Sequence, residues 1–233
     1  MGSLIETLVS DLMTNPDASI RVQAAYDIGE YHFTQAIDYL KEALWKDSES
    51  LVKIACMLSL HKLEGDDVAD EIIKVYQKQT DSMVRFYAID ILSKINNKKA
   101  VEELRNALKN EKDEKILELV VYSLAKKKDK AVKKEIVRLL EKKDVSPRIK
   151  ERAVEYFIYT KDKDVVNKIE PFIVHEYLPL KAKVIFYLAI TGNKEKRKLL
   201  EEQQLDLPKE ITLSINGKVY RGTEGFVEAL KNF

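Results

Sequence analysis

Three observations predict an all-α chain of stacked helical hairpins, an α-solenoid. One segment pattern recurs along the 233 residues, glycine and proline are scarce at 7 and 5, and the apolar residues of each recurrence fall at helical spacing. The recurrence is plain in DASIRVQAAYDIGEY from Asp17, DSMVRFYAIDILSKI from Asp81 and SPRIKERAVEYFIYT from Ser146. Its first apolar residue stands at Ile20, Val52, Val84, Ile116, Ile149 and Leu180, at intervals of 32, 32, 32, 33 and 31.

Each recurrence reads as the second helix of a hairpin. Four residues after the anchors come Ala24, Cys56, Ala88, Val120, Ala153 and Val184, all small or β-branched. Eight residues after them come Ile28, Leu60, Leu92, Leu124, Phe157 and Leu188, all large and apolar. These steps make one helical stripe whose small middle residue admits a close neighbour. Asp17, Asp81, Asp113 and Ser146, three residues before their anchors, are expected N-caps.

The first helices are shorter amphipathic stretches at 4–13, 36–44, 68–76, 100–108, 132–140 and 165–173. Short loops separate them from the second helices, as between antiparallel neighbours. A hairpin of this kind cannot bury its apolar face alone, so about six of them must stack.

A β-branched residue, a basic residue, then alanine and a large aliphatic recur as Ile20-Arg21, Ala24-Ala25, Ile28-Gly29 and as Val84-Arg85, Ala88, Leu92. The pattern resembles HEAT-like repeats, particularly the short kind first noted in bilin lyases. The resemblance spans roughly residues 4–204; it weakens where Leu117 replaces the basic residue and at Pro179-Leu180. It implies a solenoid with first helices on a convex wall and second helices on a concave one. It also implies a stacking ladder, for which Asp17 with Arg21 and Asp81 with Arg85 are the expected pairs. It says little about function.

After Leu205 the period changes, so residues 1–204 are expected to form the repeat domain and 205–233 a separate element. EITLSINGKVYRG alternates around Asn216-Gly217, a type I′ hairpin signal. If Ile215 pairs with Lys218, then Ile211, Leu213 and Ile215 share a face with Tyr220. Thr223 is the expected cap of a last helix, 224–232. This element is either a cap on the last repeat or a docking element with an edge strand.

The chemistry-bearing residues form no familiar motif: no phosphate-binding loop, HExxH, CxxC or EF-hand spacing is present. His32, His61 and His175 lie in different units, and Cys56 fills a small-residue slot of the core stripe. No catalytic residue, metal or cofactor is expected, and the chain is expected not to be an enzyme. With 45% hydrophobic and 34% charged residues the chain has material for a core, and no run approaches the ~18 apolar residues of a membrane span. One cysteine and no leader-like start suggest a cytoplasmic protein without a membrane partner.

Charge is unevenly spread. Residues 1–80 carry 7 basic and 14 acidic groups, while residues 126–152 carry 12 basic and 5 acidic. Lys126, Lys127, Lys128, Arg148, Lys150 and Arg152 are the candidate nucleic-acid patch. On the second helices, offsets of three, six and ten from the anchors point away from the core stripe and onto the expected concave wall. Tyr26, Leu58, Tyr87, Asp90, Tyr122, Arg152, Glu155, Tyr159 and Phe186 are the candidate partner contacts there. The leading expectation is a non-enzymatic scaffold or adaptor that binds a protein along that wall. The alternative is a nucleic-acid binder, simple or glycosylase-like, opposed by the acidic first third. Lyase-like chromophore attachment follows from the family's name alone, and no residues here carry it.

Overall fold

The computed structural model describes residues 3–202, 204–215 and 217–233. The chain divides into two compact units, with the division between residues 119 and 120.

The first unit holds α1 (Leu4–Thr14), α2 (Ala18–Glu30), α3 (Ile37–Lys46), α4 (Ser50–Glu64), α5 (Ala69–Lys78), α6 (Ser82–Lys94), α7 (Lys98–Asn110) and the start of α8 (Glu114–Lys126). Helix starts follow the expected chemistry. Asp17, Asp81 and Asp113 accept from the backbone N–H of Ser19, Val84 and Ile116, and Asn97 does the same for Ala100. Ser3 and Glu6 form a capping box on α1.

The stripe is the core of this unit. Val52, Val84 and Ile116, then Ala24, Cys56 and Ala88, then Ile28, Leu60 and Leu92 are all buried. Ile20 alone of the anchors is exposed, at 41%. The small residues let α2 and α4 touch closely. A Cβ on Gly29 would lie 2.6 Å from Ser59 Oγ, and that hydroxyl donates to the Ala25 carbonyl at 2.7 Å.

The expected Asp17–Arg21 and Asp81–Arg85 pairs do not form the ladder. Arg21 instead reaches forward 26 residues and grips Asp47 with two hydrogen bonds, Nε–Oδ2 2.7 Å and Nη2–Oδ1 3.0 Å. Lys53 reaches Gln79 and Arg85 reaches Glu111 over the same separation. The aspartates before the helices spend their oxygens on the helix N-termini, so the basic residue of each hairpin pairs with the loop of the next. The first helices of the hairpins are stitched likewise: the Trp45 indole donates to Glu71, and Gln77 to Glu103, again 26 residues on.

The second unit continues with the end of α8, α9 (Lys133–Glu141), α10 (Pro147–Thr160), α11 (Val166–Ile169), α12 (Leu178–Ile190), α13 (Lys194–Glu201), β1 (Thr212–Ile215), β2 (Lys218–Arg221) and α14 (Gly222–Asn232). Its stripe residues, Val120, Leu124, Ile149, Ala153, Phe157, Leu180, Val184 and Leu188, are buried too. Ser146 makes no side-chain cap; Pro147, with its fixed φ, starts α10 instead. The first helix expected over 165–173 is broken, because Pro171 cannot continue an α-helix and the chain turns into a 3-10 stretch, Glu170–Val174. Stacking bonds here run backward: the Tyr156 and Tyr187 hydroxyls donate to the Asp129 and Asp162 carbonyls at 2.8 Å.

β1 and β2 form a hairpin with Ile215 opposite Lys218 and Leu213 opposite Tyr220, the expected register. Ile211, Leu213 and Tyr220 are buried. The expected turn rests partly on Asn216, which lies outside the described residues; Gly217 has a φ of 81°. Thr223 is not an N-cap. It sits inside α14, where its hydroxyl donates to the Leu205 carbonyl and accepts from the Leu207 N–H, fastening the preceding loop to the helix. At Gly225 a Cβ would lie 2.8 Å from the Tyr220 carbonyl carbon, so only glycine lets α14 lie against β2.

Candidate partner-binding surface

An offset of six residues turns a helix by about 240°, well away from the stripe. In the first unit this leaves Tyr26 37% exposed and Leu58 and Asp90 half-buried, and Tyr87, at an offset of three, is half-buried beside them. The charges beside them are paired. Lys62 meets Glu30 at 2.6 Å, Lys94 meets Asp90 at 2.7 Å, and Gln23 donates to Asp27 at 2.8 Å. Phe86 and Tyr87 stand edge to face, their centroids 6.0 Å apart. The result is an aromatic and aliphatic strip flanked by neutralised ion pairs.

The same offsets in the second unit have a different fate. Tyr122 lies half-buried under two cations, with the Arg152 guanidinium 4.9 Å and Lys126 Nζ 5.5 Å from its ring centroid. Arg152 also donates to Glu155 at 2.8 Å. Glu155 is buried and so is Lys183, 2% exposed at its side chain, whose Nζ lies 2.5 Å from Glu151 and 3.3 Å from Glu155. A charge so deeply buried needs partners, and this one has two carboxylates.

Glu155, Tyr159 and Phe186 were expected to face a partner, and the structure corrects this. Phe186 is fully buried, its ring edge to face with Phe226 of α14 and with Phe233, both centroids 5.9 Å away. Tyr159 is 6% exposed, and burial pushes its phenol up to about 12. Its hydroxyl has no hydrogen-bond partner among the described residues; Ser214 of β1 faces it outside hydrogen-bonding geometry. The C-terminal hairpin and helix thus lie on this strip.

The expected basic patch is also divided. Arg152 meets Tyr122 at mid-helix while Tyr156 reaches Asp129 beyond the end of α8, so α8 and α10 run parallel there. Lys126, Lys127 and Lys128 consequently sit at one end of the pair and Arg148 and Lys150 at the other. Lys150 lies over the Phe172 ring at 5.3 Å, and Arg148 faces the Tyr177 hydroxyl.

The remaining reactive residues have structural surroundings. Cys56 is buried, and burial raises its thiol to about 12. His61 Nδ1 lies 3.2 Å from the Gly65 carbonyl, and His175 Nδ1 accepts the Tyr177 N–H. Among the described residues no group of three or more His, Cys, Asp or Glu side chains is arranged to hold a metal, and no helix is long and apolar enough to cross a membrane.

Sequence reasoning missed two features. Lys183, one of two charges in the otherwise apolar α12, was the visible trace of the buried ion cluster. The covering of Phe186 had no local trace, because it depends on where a segment some forty residues later folds back.

A family model described as HEAT repeats matches residues 5–86 and 69–156. No curated protein matches the sequence. Among solved structures the chain is similar to human deoxyhypusine hydroxylase in complex with glycerol, at 14% identity and a TM-score of 0.44, covering 80% of this chain and 73% of that one. It is also similar to the complex of CpcE and CpcF of phycocyanin lyase from Nostoc sp. PCC7120, at 20% identity and a TM-score of 0.46, covering 87% and 70%. Both names are those of enzymes, and the expectation that this chain is not one is not kept. That expectation rested on missing sequence motifs, and a repeat protein can assemble reactive groups from different hairpins without leaving a short motif. The matched segments cover well over half of the chain, and the chain belongs to the HEAT-repeat family.

Proposed function

We propose that this protein is a helical-repeat scaffold that binds a protein partner, as an adaptor or assembly factor, along the strip of Tyr26, Leu58, Tyr87 and Asp90. The observation that carries the reading is intramolecular. At the equivalent offsets of the second unit the strip is occupied by the chain's own α14, whose Phe226, with Phe233 seven residues on, flanks Phe186. The first-unit strip offers similar residues and has no such cover among the described residues. Its partner is an amphipathic helix presenting large apolar residues seven positions apart, one helical face. The paired charges around the strip favour a protein over nucleic acid, which needs unpaired cations. A buried free thiol fits a reducing compartment, and we place the protein in the cytoplasm.

Photo-crosslinking residues at positions 58 and 87, against the exposed outer-helix positions 38 and 74, test this. Discrete protein adducts confined to 58 and 87 support the strip. Equal labelling from both sets, or none, refutes it. Nucleic acid recovered from 58 and 87, and lost as salt rises, would move the reading to the alternative.

A further inference from the structure

Going beyond the scaffold reading, a separate cavity in the second unit has the make-up of a ligand site. The end of α10 and the turn after it, the ends of α12 and α14, and α13 enclose about 270 Å³. Phe157, Tyr187, Ile190, Leu230 and Phe233 supply apolar walls, and Lys161, Lys163 and Arg197 supply cations. At roughly 30 Å³ per water-sized unit the space suits one ring with a small substituent.

The charges are not balanced within the cavity. Its one acidic side chain, Asp162, is drawn away to Lys133 at 2.7 Å. Lys161, held left-handed at φ 55° by the end of α10, sends its Nζ to 4.6 Å from the Phe233 centroid. Neither Lys161 nor Lys163 has a carboxylate partner among the described residues. Arg197 uses only Nε, on Glu201 at 2.9 Å, which leaves its terminal amino groups free to donate. The neutral hydroxyls are already committed, Tyr187 to the Asp162 carbonyl and Thr191 to the Tyr187 carbonyl. What faces the space is therefore donor-rich, cationic and aromatic.

The geometry points to a binding site for a compact anion, a carboxylate or phosphate carried on a single ring or similar apolar body. The anion sits among Lys161, Lys163 and Arg197, and the body sits against Phe157, Leu230 and Phe233. The same chemistry is offered by a free aromatic acid and by the terminal carboxylate of a peptide ending in an aromatic residue. Because Leu230 and Phe233 form one wall, an occupied cavity also holds the end of α14 against α10 and α12.

The test is titration of the full chain with phenylacetate, phenyl phosphate and a short peptide ending in phenylalanine, followed by amide shifts. Neutral 2-phenylethanol and the amidated peptide are the controls. Saturable shifts confined to residues 157–163, 187–197 and 226–233, slower amide exchange in α14, and about tenfold weaker binding in Lys161→Ala/Lys163→Ala are expected. Arg197→Gln, with both lysines intact, gives an independent weakening should the double variant fold poorly. Binding of the free acids, of the peptide, or of both identifies the source. No saturable binding of any anionic probe at millimolar concentration, equal binding of the neutral controls, or undiminished binding by the variants would overturn the proposal.

Discussion

Replacing Glu111 by alanine should cost the first unit about 3 kcal/mol. The carboxylate is 2% exposed and satisfies four donors. Arg85 Nη2 lies at 2.5 Å, the Tyr76 hydroxyl at 2.6 Å, and the backbone N–H groups of Lys112 and Asp113 at 2.8 and 2.9 Å. Hydrogen bonds to a charged group are worth about 1.5–3 kcal/mol each, but three of these donors regain water once the carboxylate is gone. The Tyr76 hydroxyl, on a buried ring, does not, and it dominates the remainder. Burial alone would raise the Glu111 carboxyl; the bonds from Tyr76 and from the backbone of Asp113 and Lys112, with the Arg85 charge, outweigh it and hold its pKa below the usual carboxylate value. A group depressed on folding contributes stability above its unfolded pKa, about 4.3, and that stability is lost as pH falls through the folded value. Urea unfolding of wild type and Glu111→Ala should therefore show a gap that is constant from neutrality to about pH 5 and closes below about 4.3. Glu102→Ala, at an exposed pair with Lys98 at 3.7 Å, is the control and should change stability by less than about 0.5 kcal/mol. If Glu111→Ala behaves like Glu102→Ala, or its deficit persists unchanged in acid, the forward ladder does not hold the hairpins together.

Other consequences can be checked directly. Gly29→Ala drives a methyl into Ser59, whose Cα lies 3.0 Å from the added Cβ, and should destabilise the first unit by about 1–3 kcal/mol; Ser59→Gly should recover part of that loss in the double variant. Phe226→Ala removes one of the two rings on Phe186 and should loosen the tail, seen as faster amide exchange in α14 and, in ultraviolet titration, as a fall of one tyrosine pKa from about 12 toward about 10. Tyr26→Ala and Tyr87→Ala should each weaken partner binding by about 1–3 kcal/mol with the fold intact, measured by calorimetry once the partner is in hand. Cys56 should resist thiol reagents at pH 8 in the folded chain and react at once in denaturant, because burial keeps it protonated.

The hairpins were legible because their signal is local. Val84, Ala88 and Leu92 fall on one side of one helix whatever that helix packs against. The N-cap aspartates were legible for the same reason. The ladder was misread because Asp17 was given two roles, cap and partner of Arg21; the cap is the one it fills, and Asp47, the residue Arg21 grips, lies 26 positions on with no local trace. The strip was half legible. Tyr26 keeps the exposure its offset implies and Tyr87 part of it, whereas Phe186, at the offset of Tyr26, is buried by residues that offset cannot foresee. Pro171 was a visible breaker, outweighed in the reading by the apolar spacing around it.

The 26-residue reach of Arg21, Lys53 and Arg85 has a consequence for synthesis. On a ribosome adding about 5–20 residues per second, each hairpin waits on the order of seconds before its ladder partner exists. The nascent chain therefore always carries one unfinished hairpin at its growing end, with an ionised arginine or lysine still in water. Phe186 waits longer still, until Phe226 has been made. For that interval a large aromatic surface is open to whatever chaperone or partner is at hand, and docking of α14 is the event that withdraws it.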